Sequence, residues 1–198
     1  MTLQFIQQTK QPNGYWLVEL EQDNVQPIPF NLQLTVDGIA LQLFTQQSNR
    51  LQFLTTQAVS LSPESQISLP KNSQAWLFLS DLVKKLSADR PIFIVASGVK
   101  IATAFYLSKA LSQDFDIRTI LHTESTFPFQ IKPARFMFPG FPAYAIGAST
   151  LLEDWQIPNR LCCNDFLPGC FEGTLSDLFL EWTPPVDWQT IDCNQLDF

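Results

Sequence analysis

The stretch Pro91-Ile-Phe-Ile-Val-Ala96, followed by Ser97-Gly98, decides the fold that the sequence predicts. Its continuous apolar run is typical of a parallel strand buried on both faces, and Ser97-Gly98 interrupts it. Residues 100–113 then have helical spacing, and residues 116–122 are the next apolar strand pattern. A strand, a turn, a helix and a second strand in this order predict a βαβ unit in a parallel sheet.

The residues before this unit alternate between apolar and polar side chains, which is typical of half-buried antiparallel strands. Residues 31–36 and 39–44 alternate in this way and are joined by Asp37-Gly38, which tolerate the positive φ of a type I′ hairpin turn. We therefore expect a small β-barrel or meander, with further strands at 15–21, 51–56 and 66–69.

Together the two patterns predict an α+β protein. An N-terminal antiparallel β-barrel-like domain is expected over residues 1–88, and a Rossmann-like α/β domain with a parallel sheet over residues 89–198. Thr174 and Asp177 have the spacing of a helix capping box. The other expected elements are helices at 76–86, at 130–137 and at 149–155, and strands at 143–146, 160–163 and 188–192.

The charge is acidic, with 19 acidic against 12 basic residues and a net charge of −7. This balance argues against binding to nucleic acid or to an anionic membrane, because both require a basic face. From Glu153 onward there are nine acidic residues and one basic residue, Arg160. This acidic C-terminal third is either a solvated surface or a patch for a basic partner.

We expect a cytoplasmic protein, because the start of the chain lacks signal-peptide features and no window resembles a membrane span. The four cysteines, Cys162, Cys163, Cys170 and Cys193, are then expected to be buried thiols. No metal cluster is predicted, because adjacent Cys162 and Cys163 would point to opposite faces of a strand.

Ile92-Phe-Ile-Val-Ala-Ser-Gly-Val-Lys-Ile-Ala-Thr103 resembles the strand and glycine-rich loop of the ferredoxin–NADP reductase superfamily. Arg160-Leu-Cys-Cys-Asn-Asp165, with Glu172-Gly-Thr-Leu-Ser-Asp-Leu-Phe179, resembles a stretch typical of the electron-transfer subunits of dihydroorotate dehydrogenases, which belong to that superfamily. The resemblance implies a ferredoxin reductase-like fold. It also implies a flavin (FAD or FMN) or nicotinamide nucleotide (NAD or NADP) as cofactor, and electron transfer to an oxidoreductase partner.

Several residues depart from the family's motifs. Only Gly98 remains of the loop glycines, Ser97 and Lys100 replace two others, and Thr103 replaces the proline. Lys100 would either crowd a diphosphate or pair with it as a point charge. The flavin motif R-x-Y-S/T is missing, because the sequence has Arg50-Leu-Gln-Phe53. A non-catalytic interaction module that kept the fold and lost its cofactor sites is therefore the alternative, and catalysis is left open.

Two further residues complete the candidate cofactor-binding set. His122, the single histidine, ends a predicted parallel strand, where α/β sheets bind ligands, and Asp165 lies in the second matching motif. Nucleophilic catalysis has little support, because Gly147-Ala-Ser149 does not match the G-x-S-x-G elbow. The candidate cofactor-binding residues are Ser97, Gly98, Lys100, Thr103, His122 and Asp165.

The segment from Phe127 to Pro142 is rich in phenylalanine and proline. If it is buried, it is ordinary core. If part of it is exposed, its aromatic residues, Met137 and Arg135 have the composition of a protein interface. A partner protein is expected through this segment or through the acidic C-terminal third, and a homodimer is one form that such an interface could take.

Overall fold

The computed structural model describes residues 2–69 and 76–195. Two sheets follow one another along the chain, an antiparallel sheet and then a parallel sheet flanked by helices. The strands are β1 (Thr2–Lys10), β2 (Trp16–Gln22), β3 (Gln33–Val36), β4 (Ile39–Gln47), β5 (Arg50–Thr55), β6 (Gln66–Ser68), β7 (Ile92–Ser97), β8 (Ile117–Thr123), β9 (Ile131–Pro133), β10 (Gly147–Ser149), β11 (Asn159–Cys163), β12 (Phe171–Glu172) and β13 (Gln189–Asp192). The helices are α1 (Leu79–Val83), α2 (Ile101–Leu111), α3 (Thr150–Asp154) and α4 (Leu175–Glu181).

The antiparallel sheet has six strands in the order β3-β4-β5-β2-β1-β6 and curls into half of a barrel. Register shifts in β1 between Phe5 and Gln7, and in β4 between Leu43 and Thr45, introduce the bends that β-bulges produce. The concave side is filled by apolar side chains from the long strands. Its most deeply buried members include Leu3, Val18, Leu20, Leu41, Leu43, Leu51 and Phe53.

The predicted hairpin at Asp37-Gly38 is confirmed. Val36 of β3 lies opposite Ile39 of β4, so the connection has only two residues. Asp37 has φ 51° and Gly38 has φ 79°. Positive φ at both central positions is what a type I′ turn requires.

The parallel sheet has five strands in the order β12-β11-β8-β7-β13. All neighbouring pairs in it are parallel, and α2 connects β7 to β8 and packs against both. The predicted βαβ unit is therefore confirmed. Residues 92–96 of β7 are all buried, because Ile94 packs toward α2 while Phe93 on the opposite face meets Trp182 and Trp188.

The two sheets are in direct contact. α2 packs against β4, and the rings of Phe44 and Phe105 meet edge to face with centroids 5.4 Å apart. Hydrogen bonds also join the connection between β1 and β2 to the segment after β8: Asn13 Nδ2 donates to the carbonyl of Phe127 (2.8 Å), and Tyr15 Oη donates to that of Thr126 (3.2 Å). The barrel half therefore covers the side of α2 that faces away from the parallel sheet.

Two predictions between β8 and α3 are wrong. No helix forms at 130–137: residues 131–133 are strand β9, which pairs with β10, and Pro133 lacks the N–H that a helix interior needs. The strand predicted at 143–146 is a turn in which the N–H of Ala145 donates to the carbonyl of Pro142 (3.0 Å), and β10 begins only at Gly147.

Two helices also differ from expectation. The helix predicted at 76–86 is the shorter α1, because beyond Val83 the N–H groups of Lys85 and Leu86 bond three residues back, as in a 3₁₀ turn. The helix expected at 149–155 is α3, with Ser149 at its N-cap, but the side chain of Ser149 makes no capping hydrogen bond. The capping box of α4 is confirmed, since Thr174 and Asp177 exchange both bonds. No helix in the described part of the chain is long and apolar enough to cross a membrane.

A buried carboxylate of α3 bonds to β11 and to Arg135, two residues after β9. Glu153 is 3% exposed, and its Oε2 accepts from the backbone N–H (2.8 Å) and Nε (3.3 Å) of Arg135. Its Oε1 accepts from Asn159 Nδ2 (3.3 Å), and Asn159 Oδ1 accepts from the N–H of Ser149 (2.7 Å). The short β9–β10 ladder therefore depends on side-chain bonds from outside it.

We predict that Glu153→Ala lowers the free energy of unfolding by about 3 kcal/mol, because it leaves buried donors without their acceptor. Asp154→Ala is the matched control, since the exposed Asp154 also binds Arg135 (2.9 Å) but should contribute no more than about 0.5 kcal/mol. Urea unfolding of both variants measures the difference. Equal losses would show that burial of Glu153 is not what stabilises this region.

Candidate functional site

The candidate site lies at the carboxyl edge of the parallel sheet. The strand order reverses at β7: the chain proceeds from β7 to β8, β11 and β12 on one side, and returns to β13 on the other. Open α/β sheets bind ligands outside the carboxyl ends of the strands at such a switch point. Ser97 ends β7 at this point, and Gly98 begins the turn into α2.

A chain of hydrogen bonds crosses this edge. Ser97 lies opposite His122 in the register of β7 and β8, and its Oγ is 2.6 Å from His122 Nδ1. His122 Nε2 is 2.9 Å from Asn164 Oδ1, just beyond β11. On the other side, the N–H of Ser97 donates to Asn194 Oδ1 (2.8 Å), and Asn194 in turn donates to Asp192 Oδ1. The chain links the ends of β13, β7, β8 and β11.

Gly98 leaves an open approach to this edge. It has φ +57°, and a Cβ added there would meet no atom within 4 Å. The first N–H groups of the following helix have no acceptor within that helix, so this end favours an acceptor or an anion. Because Asn194 already occupies the N–H of Ser97, a ligand would meet the backbone from Gly98 onward.

The other predicted site residues are placed differently. Lys100 precedes α2, and its charge acts on Cys193, where it opposes the rise in pKa that burial causes. Thr103 is 1% exposed, and its Oγ1 has no hydrogen-bond partner among the described residues. Asp165 is exposed, and its N–H donates to the carbonyl of Glu124 (3.0 Å). Of the predicted set, the structure brings Ser97, Gly98 and His122 together.

Sequence reasoning missed Asn164 and Asn194. Each follows a strand of the parallel sheet, β11 and β13 respectively, by one or two residues. Carboxyl ends of parallel strands meet at one edge, so a search for polar residues directly after each predicted strand would have found both. Asn164 lies within the motif at residues 160–165, whereas Asn194 lies outside the quoted motifs, and the sheet order brings the two side chains to the site.

Two cavities adjoin α2 and the turn before it. A polar cavity of about 290 Å³ is lined by Val99 and by barrel residues that include Asp37, Thr56 and Gln57. An apolar cavity of about 190 Å³ lies between the barrel half and α2. Its lining includes Leu17, Phe44, Leu54, Phe105 and Phe129.

The segment from Phe127 to Pro142 is partly core and partly surface. Phe127, Phe138 and Phe141 are buried, whereas Met137 is 88% exposed. Shortly after the segment, Tyr144 (59% exposed) and Ile146 (51% exposed) add further apolar surface. Burial raises the pKa of Tyr144, and the nearby charges of Glu181 and Glu172 raise it too, which places acidic groups beside this surface.

All four cysteines are buried and free, as predicted. Burial raises the pKa of the Cys162 and Cys170 thiols to about 12, and it also raises the pKa of Cys163 and Cys193. Cys162 Sγ lies 3.1 Å from the carbonyl of Gly173, which it can bind only as a protonated thiol. Within the described residues, no three histidine, cysteine or acidic side chains are grouped so that they could hold a metal ion.

We predict that iodoacetamide alkylates none of these thiols rapidly in the folded protein at about pH 8, because the thiolate is the nucleophile. All four should react once guanidinium unfolds the chain. Mass spectrometry before and after unfolding counts the modified residues. Rapid alkylation of one cysteine in the native protein would contradict the burial described above.

Comparison with known structures identifies the architecture. The Amycolatopsis cytochrome P450 reductase GcoB matches 97% of this chain with a TM-score of 0.60 and 12% identity, and the match covers 61% of that chain. The chain has a ferredoxin reductase-like fold. The flavohemoglobin of Malassezia yamatoensis with bound FAD and heme matches 96% of this chain with a TM-score of 0.59 and 8% identity, and the match covers 52% of the flavohemoglobin chain. Phthalate dioxygenase reductase matches 97% of this chain with a TM-score of 0.53 and 15% identity, and the match covers 59% of the reductase chain.

This chain therefore spans about half to three fifths of the solved chains named here. No protein-family model and no curated protein matches its sequence. At identities of 8–15% the likeness concerns the fold. The resemblance to the electron-transfer subunits of dihydroorotate dehydrogenases rests on the sequence motifs alone.

Proposed function

We propose that this protein binds a flavin or a nicotinamide nucleotide and passes electrons to an oxidoreductase partner. The observation that carries this proposal is the open turn at Gly98, at the switch point of a ferredoxin reductase-like fold. Structures with this fold include a Neisseria gonorrhoeae ferredoxin NADP⁺ reductase with bound FAD and NADP, which matches 97% of the chain with a TM-score of 0.52 and 8% identity.

The turn at Gly98 is suited to binding a phosphate group of the cofactor. Gly98 gives the backbone close approach, and the N-terminal end of α2 favours negative charge. Ser97, Lys100, Thr103, His122 and Asp165 are proposed with it as the cofactor-binding set. In this arrangement Ser97 and His122 contribute polar atoms at the edge, while Lys100 contributes positive charge.

The polar and the apolar cavity beside α2 are suited to the ribose and the ring of a nucleotide. The carboxylate of Asp37 and the side chains of Thr56 and Gln57 in the polar cavity suit ribose hydroxyls. The apolar cavity beside Phe105 suits an aromatic ring. At about 190 Å³ it lies below the usual size of a whole-ligand pocket, which favours the single ring of a nicotinamide over a three-ring flavin.

The partner surface is proposed at the exposed apolar residues Met137, Tyr144 and Ile146. Glu172 and Glu181 lie near Tyr144, so a partner with basic residues around an apolar centre fits this surface best. A second copy of the chain is the other occupant to test, and size-exclusion chromatography with light scattering distinguishes it from a monomer.

The cofactor proposal is tested with the purified protein. A visible absorption spectrum reports bound flavin, and melting curves with FAD, FMN, NADH and NADPH report binding of each compound. A ligand at about 100 times its dissociation constant adds about 2.7 kcal/mol, which raises the melting temperature of a domain this size by about 5–10 °C. A colourless protein without a shift for any of the four would contradict the proposal and favour the interaction-module alternative.

We predict that Gly98→Ala abolishes most of that ligand-dependent shift, because its methyl group occupies the open approach and its positive φ is strained for alanine. Gly140→Ala is the matched control, with φ +67° and only ordinary contacts to Trp182. Both variants should lose about 1 kcal/mol of stability, and only the first should lose ligand binding. Equal ligand shifts in the two variants would exclude Gly98 from the site.

A further inference from the structure

Hydrogen bonds join three side chains at the carboxyl edge. Two of them, Ser97 and His122, also belong to the proposed cofactor-binding set, but the bonds between the three are not part of that proposal. Ser97 Oγ lies 2.6 Å from His122 Nδ1, and His122 Nε2 lies 2.9 Å from Asn164 Oδ1. The three residues come from the ends of the neighbouring strands β7, β8 and β11. A hydroxyl, an imidazole and a third group that orients the imidazole are the parts of an activated nucleophile.

The hydrogen-bond roles follow from the chemistry of the groups. Asn164 Oδ1 can only accept, so the neutral ring of His122 carries its proton on Nε2 and donates it there. His122 Nδ1 is then a lone-pair acceptor aimed at Ser97 Oγ. The two ring nitrogens exchange the roles they have in most serine hydrolases. His122 can still act as an oriented general base, because one ring nitrogen faces the Ser97 hydroxyl while the Asn164 oxygen accepts the proton of the other.

The residues around Ser97 are partly open to solvent. Ser97 is half-buried, Asn164 is exposed, and the space beside Gly98 is open. His122 is 7% exposed, so its bond to Ser97 is shielded from water. The N–H groups that open the helix follow Ser97 directly, and such groups stabilise the oxyanion of acyl transfer. Asn194 holds the Ser97 backbone from the other side.

We propose that Ser97 is a nucleophile for acyl transfer, with His122 as its general base and Asn164 as the residue that positions His122. Ser97 Oγ attacks the carbonyl carbon of an ester while its proton moves to His122 Nδ1. The alcohol leaves with that proton, and an acyl group remains on Ser97 Oγ. Water, deprotonated by His122, then releases the carboxylic acid and restores the hydroxyl.

The nearby space indicates the class of substrate. Val99, two residues after Ser97, lines the polar cavity of about 290 Å³. Asp37, Thr56 and Gln57 in its wall are hydrogen-bonding side chains, and the volume lies at the lower limit for ligand pockets. A short-chain ester of a polar alcohol therefore fits better than a lipid.

The test uses the full chain and a fluorophosphonate probe, which forms a bond to an activated serine oxygen and expels fluoride. We expect labelling at Ser97, located by peptide mass spectrometry, and loss of labelling in Ser97→Ala. His122→Gln should slow labelling by at least about 100-fold, since a general base contributes that much. Ser176→Ala is the matched control, because Ser176 is exposed at the start of α4 and should not affect the rate.

Asn164→Asp separates catalysis from a structural role. A carboxylate stabilises the protonated imidazole better than an amide does, so labelling and p-nitrophenyl acetate hydrolysis should both become about tenfold faster or more. A merely structural asparagine predicts no gain from this change. Melting curves test whether each variant is folded. If His122→Gln does not fold, the rate measured for Asn164→Asp still tests the proposal.

Absence of labelling in the wild-type protein, labelling at another serine, or unchanged rates in Asn164→Asp would each overturn the inference. The inference does not rest on cofactor binding. A protein that binds neither flavin nor nicotinamide nucleotide but is labelled at Ser97 would keep it, and a protein that binds nucleotide without labelling would lose it. The two proposals therefore fail separately.

Discussion

Burial of β7 on both faces is the constraint on which the rest of the structure depends. Ile94 packs toward α2, and Phe93 packs on the opposite face against Trp182 and Trp188. A shift of one residue would exchange the two faces and put an aliphatic side chain where Phe93 meets the two tryptophans, so this packing favours the observed register. This register places Ser97 opposite His122, and the hydrogen-bond chain at the carboxyl edge follows from it.

The same constraint explains which parts of the fold could be predicted. The apolar run of β7, the helical spacing of α2 and the Asp37-Gly38 turn are local signals, and each predicted its element correctly. The β9–β10 ladder has no such signal, because it joins segments 14 or more residues apart over only three residue pairs. It depends on Glu153 and Arg135, whose pairing is a tertiary contact between otherwise unrelated parts of the sequence.

The candidate site also has residues that the sequence could predict and residues that it could not. Ser97, Gly98 and His122 could be predicted, because each belongs to a motif or to a strand end. Asn194 and Asn164 depend on the sheet order, in which β13 returns beside β7 and β11 lies beyond β8. The structure thus supplies an element that the motifs do not contain: an asparagine side chain bound to the backbone N–H of Ser97. That bond replaces one of the contacts that a phosphate could otherwise make.

Charge at the carboxyl edge bears on how the two proposed activities relate. Asp192 belongs to the hydrogen-bond chain and Asp165 is exposed beside Asn164, while the N-terminal end of α2 supplies positive potential. The negative charges of a nucleotide diphosphate would be repelled by the carboxylates of Asp192 and Asp165, whereas a neutral ester carries no charge for them to repel. Both ligands would approach through the space beside Gly98, so only one could occupy the edge at a time. Nucleotide bound there would therefore exclude an ester from Ser97, which makes the two activities competitive by geometry.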